Sequence, residues 1–126
     1  APPVVGLVEH RFVAVGAGID QTTGEGIAQA IEIMDEVGSD NLFLQYDFYH
    51  MQIMEGDLVP TFRRLKGRIG HVQIADNPGR NEPGTGEINY AFLFAHLAKI
   101  GYAGFVGCEY RPAAGTLAGL TWREKL

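Results

Sequence analysis

The stretch Gly70-His71-Val72-Gln73-Ile74-Ala75-Asp76-Asn77-Pro78-Gly79-Arg80-Asn81-Glu82-Pro83-Gly84-Thr85-Gly86-Glu87 passes from a short apolar alternation into a loop dense in carboxylates, amides and glycines, with one arginine. Three other apolar segments also end on an acid: Leu7-Val8-Glu9, Leu42-Phe43-Leu44-Gln45-Tyr46-Asp47 and Phe105-Val106-Gly107-Cys108-Glu109. Parallel α/β folds carry their chemistry at the carboxyl ends of their strands. Four such ends would present Glu9, Asp47, Gln73 and Glu109, which are three carboxylates and one amide oxygen. They predict one shared metal site. An all-oxygen set suits a hard divalent cation, Mg²⁺ or Mn²⁺. Zinc more often recruits histidine or cysteine. Without a cation, three crowded carboxylates repel, and at least one takes up a proton.

Each of these residues has a plainer alternative. Glu9 reads equally as an exposed loop acid, Asp47 as a turn residue, and Gln73 as an amide that satisfies backbone groups. Glu109 is harder to dismiss, because a carboxylate after an apolar strand is costly to bury unpaired. His50 lies three residues beyond Asp47. There it can donate to a substrate oxygen or orient a ligand, or stand in a surface loop. His71 shares the strand face of Gln73 and reads as a core or supporting residue. Arg80 has the planar fork that grips a carboxylate, with an ion pair to Glu82 or Glu87 as its alternative. Cys108 faces away from Glu109 and reads as a buried, inert thiol.

The elements that must position these groups follow from periodicity and punctuation. Residues 4–8 form an apolar run read as the first strand. Residues 10–26 resist placement: Phe12-Val13-Ala14-Val15 allows a strand, but Gly16, Gly18, Gly24 and Gly26 interrupt any regular element. Ile27, Ala30, Ile31, Met34 and Val37 fall at helical spacing, and Gly38 is a C-terminal stop. Residues 41–46, 69–75 and 104–110 are the other strands. A helix over 58–65 has Asp57 as its N-cap and Pro60 in its first turn. Asn89 caps a further helix with Phe92, Leu93, Ala95, Leu97 and Ile100 on its apolar face, ended by Gly101. Residues 116–126 are short and polar. The order β-α-β-α-β-α-β belongs to an α/β parallel sheet with crossover helices. The four candidate ligands are each about one βα unit apart, at ~30 residues per unit.

The 126 residues suffice for one domain with a real core. A net charge of −5 and a pI near 5.2 argue against nucleic acid or an anionic membrane as partner. Arg63, Arg64, Lys66 and Arg68 read as a solvated helix end. A single cysteine permits no intrachain disulfide and fits a reducing compartment. No apolar run approaches the ~20 residues of a membrane helix, and Ala1-Pro2-Pro3 has neither the charged lead nor the apolar core of a signal peptide. The cytoplasm is the default expectation. There is no G-x-G-x-x-G or P-loop pattern, so no nucleotide cofactor is expected.

Four passages carry a family resemblance: residues 41–50, the run 70–75, the loop 78–90 and the segment Gly101-Tyr102-Ala103-Gly104-Phe105-Val106-Gly107-Cys108-Glu109-Tyr110. Together they resemble the hydroxypyruvate isomerase family of xylose-isomerase-like TIM barrels. The similarity runs from about Gln21 to Trp122, with Gly6-Leu7-Val8-Glu9 in addition. Only the C-terminal half of such a barrel, strands five to eight, is matched, so residues 1–126 are expected to form a half barrel. Residues 10–20 are atypical: after Glu9 the run His10-Arg11-Phe12-Val13-Ala14-Val15 departs from the family pattern.

The resemblance implies that Glu9, Asp47, Gln73 and Glu109 are metal ligands and that Glu9 and Glu109 are also the two proton-transferring acids. It places His50 and Arg80 near the substrate. The implied reaction is a metal-dependent aldose–ketose isomerisation of a small sugar acid, hydroxypyruvate to tartronate semialdehyde. A 2-oxo-tetronate isomerase or another sugar isomerase or epimerase of the superfamily is the nearest alternative. A non-catalytic half-barrel remnant is a second alternative. A metal-dependent DNA-repair nuclease is a third, and the acidic, histidine-poor composition disfavours it. Four parallel strands leave open edges, so a homodimer or an N-terminal half is expected to complete the sheet.

Overall fold

The computed structural model describes residues 11–14, as backbone, and residues 26–126. Four parallel strands lie side by side in chain order: β1 (Arg11–Ala14), β2 (Leu42–Asp47), β3 (Ile69–Ile74) and β4 (Val106–Cys108). Helix α1 (Gly26–Val37) comes between β1 and β2. Helices α2 (Phe48–Met54) and α3 (Leu58–Leu65), with a 3₁₀ turn at Lys66–Arg68, lie between β2 and β3. Helix α4 (Tyr90–Lys99) lies between β3 and β4, and a 3₁₀ segment, Ala118–Glu124, follows. A monotonic order of parallel strands joined by helical crossovers is the α/β architecture that the sequence predicts. It amounts to part of a TIM barrel.

The period of two decides the faces of the sheet. Leu44, Tyr46, Val72 and Ile74 are wholly buried against Ile27, Ala30 and Met34 of α1, Phe48 and Met51 of α2, Phe62 and Leu65 of α3, and Leu93 and Leu97 of α4. Removing each of the larger aliphatic and phenylalanine side chains from water stabilises the fold by about 1.5–3 kcal/mol. Tyr46 meets Phe48 and Phe62 edge-on at 5.2 Å, and its hydroxyl donates to the Leu58 carbonyl at 3.0 Å. The intervening residues Gln45, Asp47, His71 and Gln73 are polar. Registers pair Gln45 with His71, and Asp47 with Gln73. The β2–β3 register shifts between Leu44 and Gln45, where β3 spends an extra residue. That shift lets Ile69 and Val72 both face the core.

Several elements differ from expectation. The strand paired with β2 is Arg11–Ala14, inside the segment that matched no family pattern; the strand expected over 4–8, with Glu9, lies outside the described residues. Helix α2 has no counterpart in the expected order of elements. Its N-cap is Asp47, whose carboxylate accepts from Tyr49 N–H at 2.9 Å and His50 N–H at 3.3 Å. Asp57 does not cap α3: it adopts φ 46° and its side chain makes no capping bond. Asn89 does cap α4, accepting from Phe92 N–H at 3.1 Å. The buried face of α4 is Tyr90, Leu93 and Leu97, and Phe92 is 56% exposed. Strand β4 is shorter than expected because it has one described neighbour and pairs only from Val72–Val106 to Ile74–Cys108. Cys108 is exposed on that strand rather than buried. Arg68 is paired with Asp35 at 2.7 Å, and Lys66 donates to the Ile100 carbonyl, so two of the four helix-end cations have partners. No helix among the described residues is long and apolar enough to cross a membrane.

Candidate functional site

The carboxyl ends of β2, β3 and β4 bring together five of the six expected site residues. Asp47 is the last residue of β2, Gln73 the penultimate residue of β3, and Glu109 follows the last residue of β4. Gln73 Nε2 donates to Glu109 Oε2 at 3.2 Å. The Arg80 guanidinium approaches the same Glu109 oxygen at 3.5 Å and stands 5.1 Å from the Tyr49 ring centroid, a cation–π arrangement. His50 Nε2 faces Asp47 Oδ2 at 4.0 Å. Arg80 therefore does not pair with Glu82 or Glu87, the partners its alternative reading named; Glu82 accepts from Ala113 N–H instead. Glu9, the sixth residue, lies outside the described residues.

Local sequence explains this convergence. Asp47 is turned toward the site because it caps α2, and the same helical turn carries Tyr49 and His50 back over the strand ends. Gln73 pairs in register with Gly107. A Cβ on Gly107 would stand 2.8 Å from both Gln73 Oε1 and His71 Nε2, so a residue without a side chain gives those two groups their space. Two residues later Glu109 supplies the carboxylate, its N–H held by the Ile74 carbonyl at 3.1 Å.

Asp47 is only 4% exposed. Burial raises its pKa above the ordinary aspartate value; the His50 imidazole and the His50 and Tyr49 amides oppose that rise, and the Glu109 charge adds to it. His50 Nδ1 and Asn77 Oδ1 are buried polar atoms with no hydrogen-bond partner among the described residues. Both are open to a water or a ligand oxygen. A cavity of about 410 Å³ opens beside Glu109, lined by Arg80, Cys108, Tyr110 and Arg111.

The donor types fit a hard cation: two carboxylates and an amide oxygen, with mutual repulsion that a dication would relieve. Among the described residues no group of three His, Cys, Asp or Glu side chains is assembled. The described donors are therefore an incomplete shell, short of the contribution assigned to Glu9 by resemblance.

Sequence reasoning did not single out Asp76, a buried carboxylate one residue past Ala75 that accepts four backbone N–H bonds from its own loop. The signal was there, in an acid at a strand end followed by three glycines, but nothing local says which amides it gathers.

Comparison with known proteins identifies the family of the fold. Residues 14–126 match the model of a family described as xylose isomerase-like TIM barrel. Over 99 residues the chain is 54% identical to hydroxypyruvate isomerase of Escherichia coli, covering 79% of this chain and 38% of that one. It is 53% identical over 90 residues to 2-oxo-tetronate isomerase of Cupriavidus necator, covering 71% of this chain and 35% of the relative. Among solved structures, one named AP endonuclease, family 2, from Brucella melitensis superposes with TM-score 0.74 at 44% identity, covering 78% and 38% of the two chains. A 3-keto-D-glucoside 4-epimerase of E. coli superposes with TM-score 0.69 at 33% identity, covering 79% and 39%. The chain spans little more than a third of the length of these relatives. With parallel strands in monotonic order and acids at their carboxyl ends, this chain belongs to the xylose isomerase-like TIM barrel family.

Proposed function

We propose that the chain is the metal-binding portion of a sugar-acid isomerase, acting on hydroxypyruvate or a close 2-oxo acid such as a 2-oxo-tetronate. The observation that carries the reading is the meeting of Asp47, Gln73 and Glu109 at adjacent strand ends, with Arg80 on the Glu109 carboxylate. The activities for which the relatives are named support the substrate class.

In this reading Asp47, Gln73, Glu109 and Glu9 would hold one Mg²⁺ or Mn²⁺. The cation supplies positive charge opposite the oxygens on which charge develops. Arg80 grips the substrate carboxylate in a bidentate contact. His50 orients a substrate oxygen through an imidazole nitrogen. One glutamate takes a proton from the hydroxymethyl carbon beside the carbonyl, and the other returns a proton at the former carbonyl carbon. The hydroxyl proton passes from the neighbouring oxygen to the former carbonyl oxygen, so the net change moves the carbonyl by one carbon with no external oxidant or reductant. Glu109 is one member of this pair, and Glu9 is assigned the other by resemblance alone. A nuclease reading, suggested by the name of one structural neighbour, finds little support in a chain of net charge −5.

Calorimetric titration of Mn²⁺ into the wild-type chain, Asp47→Asn and Glu109→Gln tests the reading. Saturable binding in the wild type and at least about tenfold weaker binding in both variants is expected. Equal heats in all three proteins would remove the metal site. Proton NMR of hydroxypyruvate with the Mn²⁺-loaded chain then reads turnover. Metal binding without product would identify a half barrel that keeps the ligands but not the reaction.

A further inference from the structure

We infer that Asp76 is a positioning residue that fixes the Arg80 guanidinium against Glu109 and Tyr49 by gathering the loop backbone around its buried carboxylate. What Arg80 holds rests on the proposed function; how it is held does not. Asp76 is 1% exposed and directly follows the β3 exit. Its Oδ1 accepts from Asn77 N–H at 2.9 Å and Ile88 N–H at 3.0 Å, and its Oδ2 from Gly84 N–H at 2.9 Å and Gly86 N–H at 3.0 Å. Two oxygens offer about four acceptor positions, so four donors fill them and leave none for a metal or substrate. The donors come from both ends of the loop, and one side chain therefore closes it. Gly86 permits the approach: a Cβ there would collide with the Asn77 carbonyl oxygen and stand 2.8 Å from Asp76 Oδ1.

From this hub the restraint passes to Arg80 along the backbone. Asp76 N–H donates to the Asn81 carbonyl at 2.8 Å. Asn81 Nδ2 donates to the Arg111 carbonyl at 2.8 Å, and Arg111 N–H donates to the Arg80 carbonyl at 2.8 Å. Arg80 is thus tied on one side to the loop and on the other to the segment after Glu109. It sits at φ 55°, a conformation that a non-glycine residue keeps only when its surroundings over-determine it. Its side chain leaves that pinned backbone toward Glu109 and the Tyr49 ring. In Asp76→Asn one oxygen becomes an amide group facing two N–H donors, so half of the hub is lost while the volume is kept.

Amide exchange and ¹⁵N NMR of the wild type and Asp76→Asn decide the matter. In the wild type the Gly84, Gly86 and Ile88 amides are expected to be protected, with a resolved Arg80 Nε–H signal in contact with the Tyr49 ring. In Asp76→Asn their protection falls by about 100-fold or more and the contact disappears, while the sheet amides of Val72 and Glu109 stay protected. Tartronate, a small hydroxy dicarboxylate, then binds the variant about tenfold more weakly than the wild type. A folded Asp76→Asn that keeps the Arg80–Tyr49 contact overturns the inference. So does a wild type whose three loop amides exchange like exposed ones, a result that requires no variant to fold. A wild type with a protected loop and a fixed Arg80 that ignores tartronate would sink the carboxylate-anchor reading and leave the positioning role standing.

Discussion

Asp47 is the cap of α2 and, in the proposed function, a metal ligand, and these two roles pull on its charge in opposite directions. As an N-cap it needs an acceptor oxygen, which asparagine supplies as well. As a ligand it needs a negative charge, which burial and Glu109 both oppose. Its folded-state pKa is raised, so the folded state holds the proton more tightly than the unfolded chain. Without a cation, the Asp47 contribution to stability is then greatest in acid and declines as pH rises from the ordinary aspartate value through the raised one. Asp47→Asn is expected to flatten that decline and keep α2, whereas Asp47→Ala also loses the cap, at a cost of about 1 kcal/mol. Urea denaturation of the metal-free proteins across the acid range checks both. Gly107→Ala probes the neighbouring row. Its new methyl would press on the far ends of the Gln73 and His71 side chains, which must shift to make room, so the cost in stability should be small. Mn²⁺ affinity should fall by about tenfold or more, because Gln73 is displaced; unchanged affinity by calorimetry would take Gln73 out of the ligand set. At this scale the sequence was informative about charge-bearing groups. Asp47, Gln73, His50, Arg80 and Glu109 announce themselves by type and by place at strand ends. Asp76 and Gly107 do not, because one acts through amides brought from twelve residues away and the other through the space it leaves.

Among the elements, the caps show where local chemistry is decisive and where it is overridden. Asn89 accepts the Phe92 amide, so Asn89→Ala should cost about 1 kcal/mol. Asp57 stands at the corresponding place before α3 but is held at φ 46°, and although its carbonyl accepts from Thr61 N–H, its side chain makes no capping bond. Asp57→Gly should therefore be neutral or stabilising by up to about 1 kcal/mol, because glycine takes a left-handed backbone without steric cost. Chemical denaturation of the two variants side by side reads the contrast, and equal losses would show that Asp57 does cap in solution. The strands were legible for the same reason that they are stable. Leu44, Tyr46, Val72 and Ile74 alternate with polar residues, and one face must be buried. Their ends were not legible: β4 pairs only where β3 faces it, and α2 begins at a residue whose capping role competes with its place at a strand end. Burial also links this core to alkaline pH. Desolvation raises the Tyr46 and Tyr90 hydroxyls well above the ordinary tyrosine value. The stability from keeping them neutral is complete below about pH 10, the unfolded value, and is lost as pH rises beyond it. The double variant Tyr46→Phe, Tyr90→Phe should lose hydrogen bonds to Leu58 and Ala75, about 1 kcal/mol each at neutral pH. It should also show a shallower alkaline decline when thermal unfolding is followed from neutrality upward.

For the whole molecule the dominant feature is the four-stranded sheet that the described residues form without closing a barrel. Strand β4 lies at the end of the strand order, with Phe105 84% exposed and Val106 36% exposed. A strand edge of this kind offers unpaired N–H and C=O groups to another chain. The polar row of Gln45, Asp47, His71 and Gln73 occupies the sheet face opposite the helix-packed core, and a TIM barrel needs eight strands to close around such a face. A second copy, related by a two-fold axis along the barrel, would set β4 of each chain beside β1 of the other, parallel in both places. Eight strands would then close without a free edge. The wild-type chain is accordingly expected to self-associate, with a light-scattering mass that rises toward twice that of the chain as concentration increases and a thermal midpoint that falls on dilution. Phe105→Asp combined with Val106→Lys charges the open edge without touching the helix-packed core. It should return the protein to a monomer whose midpoint is independent of concentration. A wild-type chain that elutes as a clean, cooperatively folding monomer, with the same midpoint across a wide dilution series, would show that four strands and their helices stand alone and that no second copy is required.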